Sequence, residues 1–467
     1  MRTLPPTREA SIREAFIKVE TTAGRVRKVA ASALLGLLSC ALIVAFASIG
    51  RPLWIDEFGH FAFGGFRSTV SAWHAIRHSI DSINFGQTGI YMLLDYWLLK
   101  GFGANALALR LPSILSAGLM LWGGLEFFQK RRYQAIWQFS LIVCYLGQAT
   151  LMYYAGEARP YMPLAGASAG AFTYYILIPE ERRSWSVLTL GWLSILWGAA
   201  IHPYFAFYWL SLCTFGYFIA VYERRTKLSW KAAILHVNIP LSIVGSVIYF
   251  GIASVTWLAY PPKLSLNPFQ WVPQTKLYET FVETSHFQFL GKLGSSWMLF
   301  TIAIFLVHFC LNSNAKKFSG PLIPPCLLMW IAMLLSVYVS SESFVHHYWI
   351  LPRQWVASLA LIPIAFIWSC AELTDMISRI YTDARWLIPA LCLWLIANCA
   401  YPQAVSQSHA FLVNILNRSS SGEFVPPPGS ALPKDNGEWV ALANRNVASG
   451  GPVSEVFRYY YQPKSGR

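Results

Sequence analysis

Charged side chains are scarce in this chain: only 12% of its 467 residues are Asp, Glu, Lys or Arg, against about 25% in an ordinary water-soluble domain. Together with 55% hydrophobic residues and a mean hydropathy of +0.43, that shortage excludes a conventional soluble enzyme. Acidic residues are the rarer sign, 22 against 36 Lys and Arg, which leaves a net charge of +14. The basic residues form no stripe or tail of the kind that follows a phosphate backbone, so nucleic acid is not an expected partner. They fall in short clusters between apolar runs and read as topology signals. Cysteine is missing from the long polar loops. Cys40, Cys144, Cys213, Cys310, Cys326, Cys370, Cys392 and Cys399 all lie in or at the ends of apolar runs, and neither a disulfide framework nor a thiolate metal site is expected. The chain also lacks a solenoid repeat and clear halves related by inverted symmetry.

What it does contain is a series of long apolar runs, at 29–49, 106–128, 134–154, 161–178, 185–201, 204–222, 232–252, 292–311, 321–339, 349–370 and 386–400. Their lengths suit bilayer-spanning helices of about 20 residues, whereas membrane strands would be shorter and would alternate. The expected fold class is therefore an all-α polytopic membrane protein with eleven transmembrane helices. A further apolar segment, 89–100, would reach only about 18 Å as a helix, against a hydrocarbon core of about 30 Å. It is expected to lie flat in the interface with Asp95 turned toward water. Leaving it uncrossed puts Arg25-Val-Arg-Lys28, Lys130-Arg-Arg132, Arg182-Arg183, Arg224-Arg225-Thr-Lys227, Lys316-Lys317 and Arg379…Arg385 on one side, the cytoplasmic side by the positive-inside rule.

Three divisions follow. Residues 1–28 form a cytoplasmic segment ahead of an uncleaved signal anchor. Residues 29–400 form a transmembrane domain with external loops at 50–105 and 253–291. Residues 401–467, with Pro426-Pro-Pro428 and Ser419-Ser-Ser421, form an external tail or small domain.

The unusual polar residues gather on the external side. Asp56 and Glu57 sit directly after the first apolar run, where charge close to hydrocarbon is costly. Being adjacent, they diverge by about 100° in a helix, so they divide into one group that acts and one that anchors, or they cap the following helix. His60, His74 and His78 share that loop as metal-ligand candidates or plain surface groups. Tyr153-Tyr-Ala-Gly-Glu157-Ala-Arg159-Pro160-Tyr161 is a polar turn between two spans, with Pro160 at a helix start. Arg159 offers the planar fork suited to phosphate oxygens, unless it only pairs locally with Glu157. His202 closes the next external turn. Ser340…Glu342…His346-His347-Tyr348…Arg353 forms a third cluster, in which Arg353 would face a lipid headgroup or lipid phosphate.

Four segments carry a family likeness: Leu53-Trp-Ile-Asp-Glu-Phe58, the stretch from Ile90 to Ser113, Tyr153 to Tyr161, and His347-Tyr-Trp-Ile-Leu-Pro352. In these the chain resembles the glycosyltransferase C superfamily, in particular the branch containing protein O-mannosyltransferases and the aminoarabinose transferases that act on lipid A. The resemblance implies a bacterial inner-membrane enzyme with its N-terminus in the cytoplasm. It would take a sugar from a polyprenyl-phosphate carrier at the external face and pass it, with inversion, to the hydroxyl of a lipid, glycan or protein. It further implies Asp56 as general base toward that hydroxyl, with Glu57 behind it, and Arg159, Arg353 and Arg110 on the donor phosphate. Glu157, His202, His346, His347 and Tyr348 would support them. Members differ in their use of a divalent cation, so a metal stays open with His60 as its candidate ligand, and no other cofactor is implied.

Two departures stand out. Gln87-Thr88 replaces the usual Pro-Pro pair, and His347-Tyr348 replaces an Arg-Tyr pair. Trp257, Tyr260 and Trp271 are candidates for sugar stacking in the 253–291 loop, or simply interfacial anchors. The rival reading is a transporter or flippase for lipid-linked sugars, which would carry polar residues near span centres and helices broken at the midplane.

Overall fold

The computed structural model describes residues 57, 60, 66–78, 89–103, 106–177, 181–202, 204–224, 237–255, 327, 356–379 and 381–398. Among them all regular structure is helical. The expected spans 29–49 and 292–311, the span 321–339 apart from Leu327, the polar cluster at 340–353 and the tail 401–467 lie outside the described residues.

Two short helices, α1 (Thr69–His78) and α2 (Ile90–Phe102), form a hairpin in the first polar loop. The bundle follows: α3 (Ala106–Lys130), α4 (Ala135–Gly147), α5 (Ala149–Ala155), α6 (Tyr161–Ile176), α7 (Trp185–Ile201), α8 (Phe205–Arg224), α9 (Ile239–Ala253), α10 (Val356–Ser378) and α11 (Ala384–Asn398). Two of them, over Leu107–Lys130 and Ala357–Ser378, are long and apolar enough to cross a membrane by length and composition, and the other apolar helices of the bundle are shorter. Leu115, Leu210, Val247, Phe250, Leu387 and Trp394 are exposed.

Two spans differ from their expected form. The run 134–154 is two helices, because Gln148 between them takes an extended backbone (φ −87°, ψ 96°). A buried break needs its polar groups answered by a neighbouring helix, and here the Gln148 amide points at the Leu359 carbonyl of α10, 3.4 Å away. The run 232–252 is interrupted at Asn238, which takes the left-handed region (φ 49°), and α9 starts after it with proline at the helix start.

At the centre stands α6, where Met162 through Ile176 are all buried. Its sequence explains this. Ala165, Gly166, Ala167, Ser168, Ala169, Gly170 and Ala171 present almost no side chain, so α3, α7, α8 and α10 close in around it. A Cβ on Gly166 would lie 2.3 Å from the Ser116 carbonyl oxygen of α3, and one on Gly170 would lie 1.9 Å from Ser194 Oγ of α7. Without a hydrophobic drive between helices in lipid, such close backbone approach is what holds a bundle together.

The two ends of the bundle differ in chemistry. At one end, Arg131 meets Glu181 at 3.6 Å and lies over the Trp368 ring, and Arg182 Nε donates to the Leu177 carbonyl at 2.8 Å. Tyr133 donates to Glu372 there as well. This joins the basic loops at 130–132 and 182–183 to the end of α10 that precedes Arg379 and Arg385. The helix alternation puts the first-loop hairpin and the turns at 156–160 and 202–204 at the other end.

In α2 the structure corrects one expectation outright. Asp95, expected to face water, is fully buried. It lies four residues from both Tyr91 and Leu99, on the face that carries Tyr91, Met92, Tyr96 and Leu99 inward. The helical period fixes its direction whatever its charge.

Candidate active site

Three segments far apart in sequence meet on one buried carboxylate. Arg110, in the first turn of α3, donates from Nε to Glu57 Oε1 at 3.0 Å and from Nη2 to Glu57 Oε2 at 2.9 Å. The Ala158 backbone N–H donates to the same Oε1 at 2.8 Å. Both side chains of the ion pair are shielded from solvent, Glu57 at 0% and Arg110 at 2% exposure. A two-point fork onto a carboxylate is among the stronger and more directional polar contacts, and here it joins the first loop to α3 and to the 156–160 turn.

The turn is anchored a second time. Ser113 Oγ lies 2.6 Å from the Glu157 carbonyl and 3.2 Å from the Arg159 carbonyl, with Tyr91 Oη of α2 3.0 Å away. Pro160 then begins α6 (φ −74°).

Beside this clamp lies a histidine–aspartate pair. His60 Nδ1 is 2.7 Å from Asp95 Oδ2, and the His60 ring stands edge-on to Tyr91 with centroids 5.3 Å apart. Both residues are buried. Burial, and then the charge of Arg159, pushes His60 well below the usual histidine range; burial, and then the charge of Glu57, pushes Asp95 well above the usual carboxylate range. Two atoms of the pair, His60 Nε2 and Asp95 Oδ1, are buried with no hydrogen-bond partner among the described residues.

Arg159 is the partly exposed charge of the group, in contrast to Glu57, Asp95, Arg110 and Glu157. Its Nη2 donates to Tyr161 Oη at 3.1 Å, and its guanidinium lies 5.4 Å from the centre of the Tyr161 ring. His202 fills the space between Tyr161 and Tyr204, with ring centroids 6.4 and 4.7 Å away. The Tyr204 N–H donates to His202 Nδ1 at 3.2 Å, so Nε2 carries the proton. Burial, followed by the charge of Arg159, pushes His202 down to about 3.

Of the residues singled out in the sequence, Glu57, His60, Arg110, Glu157, Arg159 and His202 thus lie at one end of the bundle. Asp56, His346, His347, Tyr348 and Arg353 lie outside the described residues. Sequence reasoning missed Tyr91, Asp95, Ser113, Tyr161 and the Ala158 amide. For Tyr91 and Asp95 the signal was present, since both fall on the apolar stripe of α2. Ser113 and the Ala158 amide give no local signal, because their partners lie 44 and 101 residues away. No cluster of three or more metal-ligating side chains occurs among the described residues.

Neither the protein-family models nor the curated proteins contain a match to this chain. Among solved structures it is similar to ArnT from Cupriavidus metallidurans bound to undecaprenyl phosphate, with a TM-score of 0.41, 13% identity, and coverage of 83% of this chain and 80% of that one.

Proposed function

We propose that the protein is an integral membrane glycosyltransferase that moves a sugar from a polyprenyl-phosphate donor to a hydroxyl acceptor, with inversion, at the outer end of the bundle. One observation carries the reading: Glu57 and Ala158 share a 2.8 Å hydrogen bond, and their immediate chain neighbours are Asp56 and Arg159. The candidate base and the candidate phosphate ligand therefore flank one contact. In this reaction the acceptor oxygen forms a bond to the anomeric carbon and its proton passes to a base, for which we assign Asp56. The carrier phosphate leaves with the bonding electrons, and a guanidinium must meet that charge. Arg159, partly exposed and braced on Tyr161, suits this role, with Arg353 as its companion from the third polar cluster. Arg110 serves the site indirectly, because its fork holds Glu57.

The break at Gln148 is the observation that favours a transporter, since broken helices mark many transport sites. It carries no charge, and its amide is directed at a carbonyl of α10; the charged groups stand at the bundle end instead. Asp56→Asn decides between the two. Membranes holding the variant at wild-type abundance should transfer labelled sugar from a polyprenyl-phosphate donor at least about 10²-fold more slowly, while transport by a carrier would persist. Normal transfer by Asp56→Asn would remove it as the base. Mass spectrometry of lipids and glycans from cells lacking the protein should identify the acceptor left unmodified.

A further inference from the structure

One buried hydrogen-bond donor at the outer end of the bundle has no acceptor. His202, between α7 and α8, is 3% exposed, and its Nδ1 takes the Tyr204 N–H at 3.2 Å. A backbone N–H can only donate, so Nδ1 is the bare nitrogen and Nε2 carries the proton. That Nε2–H meets no acceptor among the described residues. Leaving a buried donor unmet is costly, and a group kept in that state calls for an explanation.

The setting says what kind of acceptor fits. The turn is closed on itself, with the His202 N–H donating to the Gly198 carbonyl and the Phe205 N–H to the His202 carbonyl, both at 3.1 Å. The imidazole lies against Tyr204 and Tyr161, with centroids 4.7 and 6.4 Å away, so its direction is fixed as well as its tautomer. Tyr161 is shared with Arg159, whose Nη2 donates to the phenol oxygen at 3.1 Å. Two N–H donors, one charged and one neutral, therefore lean on a single tyrosine. A sugar hydroxyl both donates and accepts, whereas a phosphate oxygen that bears the negative charge only accepts, and N–H donors suit it.

Resting on the transferase reading, we propose that the His202 Nε2–H is a second, uncharged donor to the carrier phosphate, beside Arg159. Its neutrality has a use. A second cation would tighten the grip on an anionic lipid that must leave after each turnover, while a neutral N–H adds direction without adding charge. Burial, and then the cation of Arg159, keeps the ring in that uncharged form, with its pKa down at about 3.

Binding to full-length protein in lipid nanodiscs tests this, with a polyprenyl monophosphate and the matching neutral polyprenol as probes, read by native mass spectrometry. Asparagine places its amide where Nδ1 stands, so His202→Asn keeps an acceptor for the Tyr204 N–H and loses the far donor. Glutamine reaches the Nε2 position and does the reverse. His202→Asn should bind the phosphate lipid about 10-fold or more weakly, His202→Gln should retain most of the affinity, and the alcohol should bind all three forms alike. A residue that only closes its own turn gives the opposite order. That order, or equal affinity for the phosphate lipid in all three, would overturn the proposal. So would a loss of the same size for the alcohol, or phosphatidylglycerol bound with the same dependence on His202, which would assign the contact to a bilayer lipid. Wild type supplies a second measurement: the His202 Nε2 proton resonance, assigned by its loss in His202→Gln, should move downfield with the phosphate lipid and stay in place with the alcohol. An unmoved resonance would sink the contact. The transferase reading fails separately: wild-type membranes that bind the lipid in this way but transfer no sugar from any polyprenyl-phosphate donor would refute it and leave the contact standing.

Discussion

Replacing Arg110 with methionine tests the clamp most directly, because it removes both forked donors while keeping the length and much of the apolar stem. Glu57 would then be a fully buried carboxylate with the Ala158 amide as the remaining donor of the three described here. Removing one partner of a buried ion pair costs about 3–5 kcal/mol, chiefly through the charge left behind. At about 2 cal/mol/K of unfolding entropy per residue, a chain of 467 residues loses about 1 °C of midpoint for each kcal/mol. A fall of about 3–5 °C is therefore expected for Arg110→Met, read from tryptophan fluorescence of purified protein in detergent.

The argument lies in the double variant. Glutamine at 57 is neutral and can still accept from the Ala158 amide, so Glu57→Gln/Arg110→Met should recover part of the loss. The two sites should show a coupling of about 1–3 kcal/mol. Glu57→Gln alone strands the guanidinium and should be destabilised as well. If the double variant were as unstable as the sum of the singles, the clamp would not be the electrostatic unit described above. A shift below about 1 °C in Arg110→Met would refute the burial argument itself.

Two further outcomes follow from geometry and charge. Gly166→Ala places a methyl 2.3 Å from a backbone oxygen of α3 that cannot swing aside, so the protein should fail to accumulate in membranes; Gly101→Ala, with nothing within 4 Å, should accumulate normally or gain slightly, by up to about 1 kcal/mol. His202 holds a proton in the folded state only below about 3, whereas in the unfolded chain it does so below about 6.5. Between those values the unfolded state binds the extra proton, so stability falls as the pH drops. Going from pH 7.5 to 5.0 should cost about 2 kcal/mol through this one residue, a loss that His202→Gln should remove from the pH dependence of the thermal midpoint.

Much of the helical framework was legible in the amino-acid order, because each helix announces itself locally through the length and apolarity of its own run. The expected 185–201 run coincides with α7, closed by His202-Pro203, and 106–128 falls within α3. The break at Gln148 was not legible, since what stabilises it is a carbonyl 211 residues away. Asp95 was misread for a different reason: its charge was given more weight than its place on the stripe of α2. At the site, the residue types were legible and the pairings were not. Glu57 and Glu157–Arg159 could be marked from local pattern and Arg110 from the family resemblance, but that Glu57 would take Arg110 and the Ala158 amide together is decided by separations of 53 and 101 residues.

Those pairings also separate the roles proposed for the two arginines. A group that must release an anionic lipid after each turnover cannot already be neutralised by a buried two-point carboxylate contact, because exchanging that contact for phosphate would leave a bare carboxylate out of water. Arg110 is in that position. Arg159 is held differently. It is partly exposed, its guanidinium is oriented by a phenol oxygen and a ring face, and it stands one residue from the amide that binds Glu57. The clamp fixes the turn that carries Arg159 through the neighbouring Ala158 amide. Exchanging the two should expose the difference: Arg159→Lys keeps the charge but loses the fork and should weaken donor binding, whereas Arg110→Lys should chiefly weaken the fold.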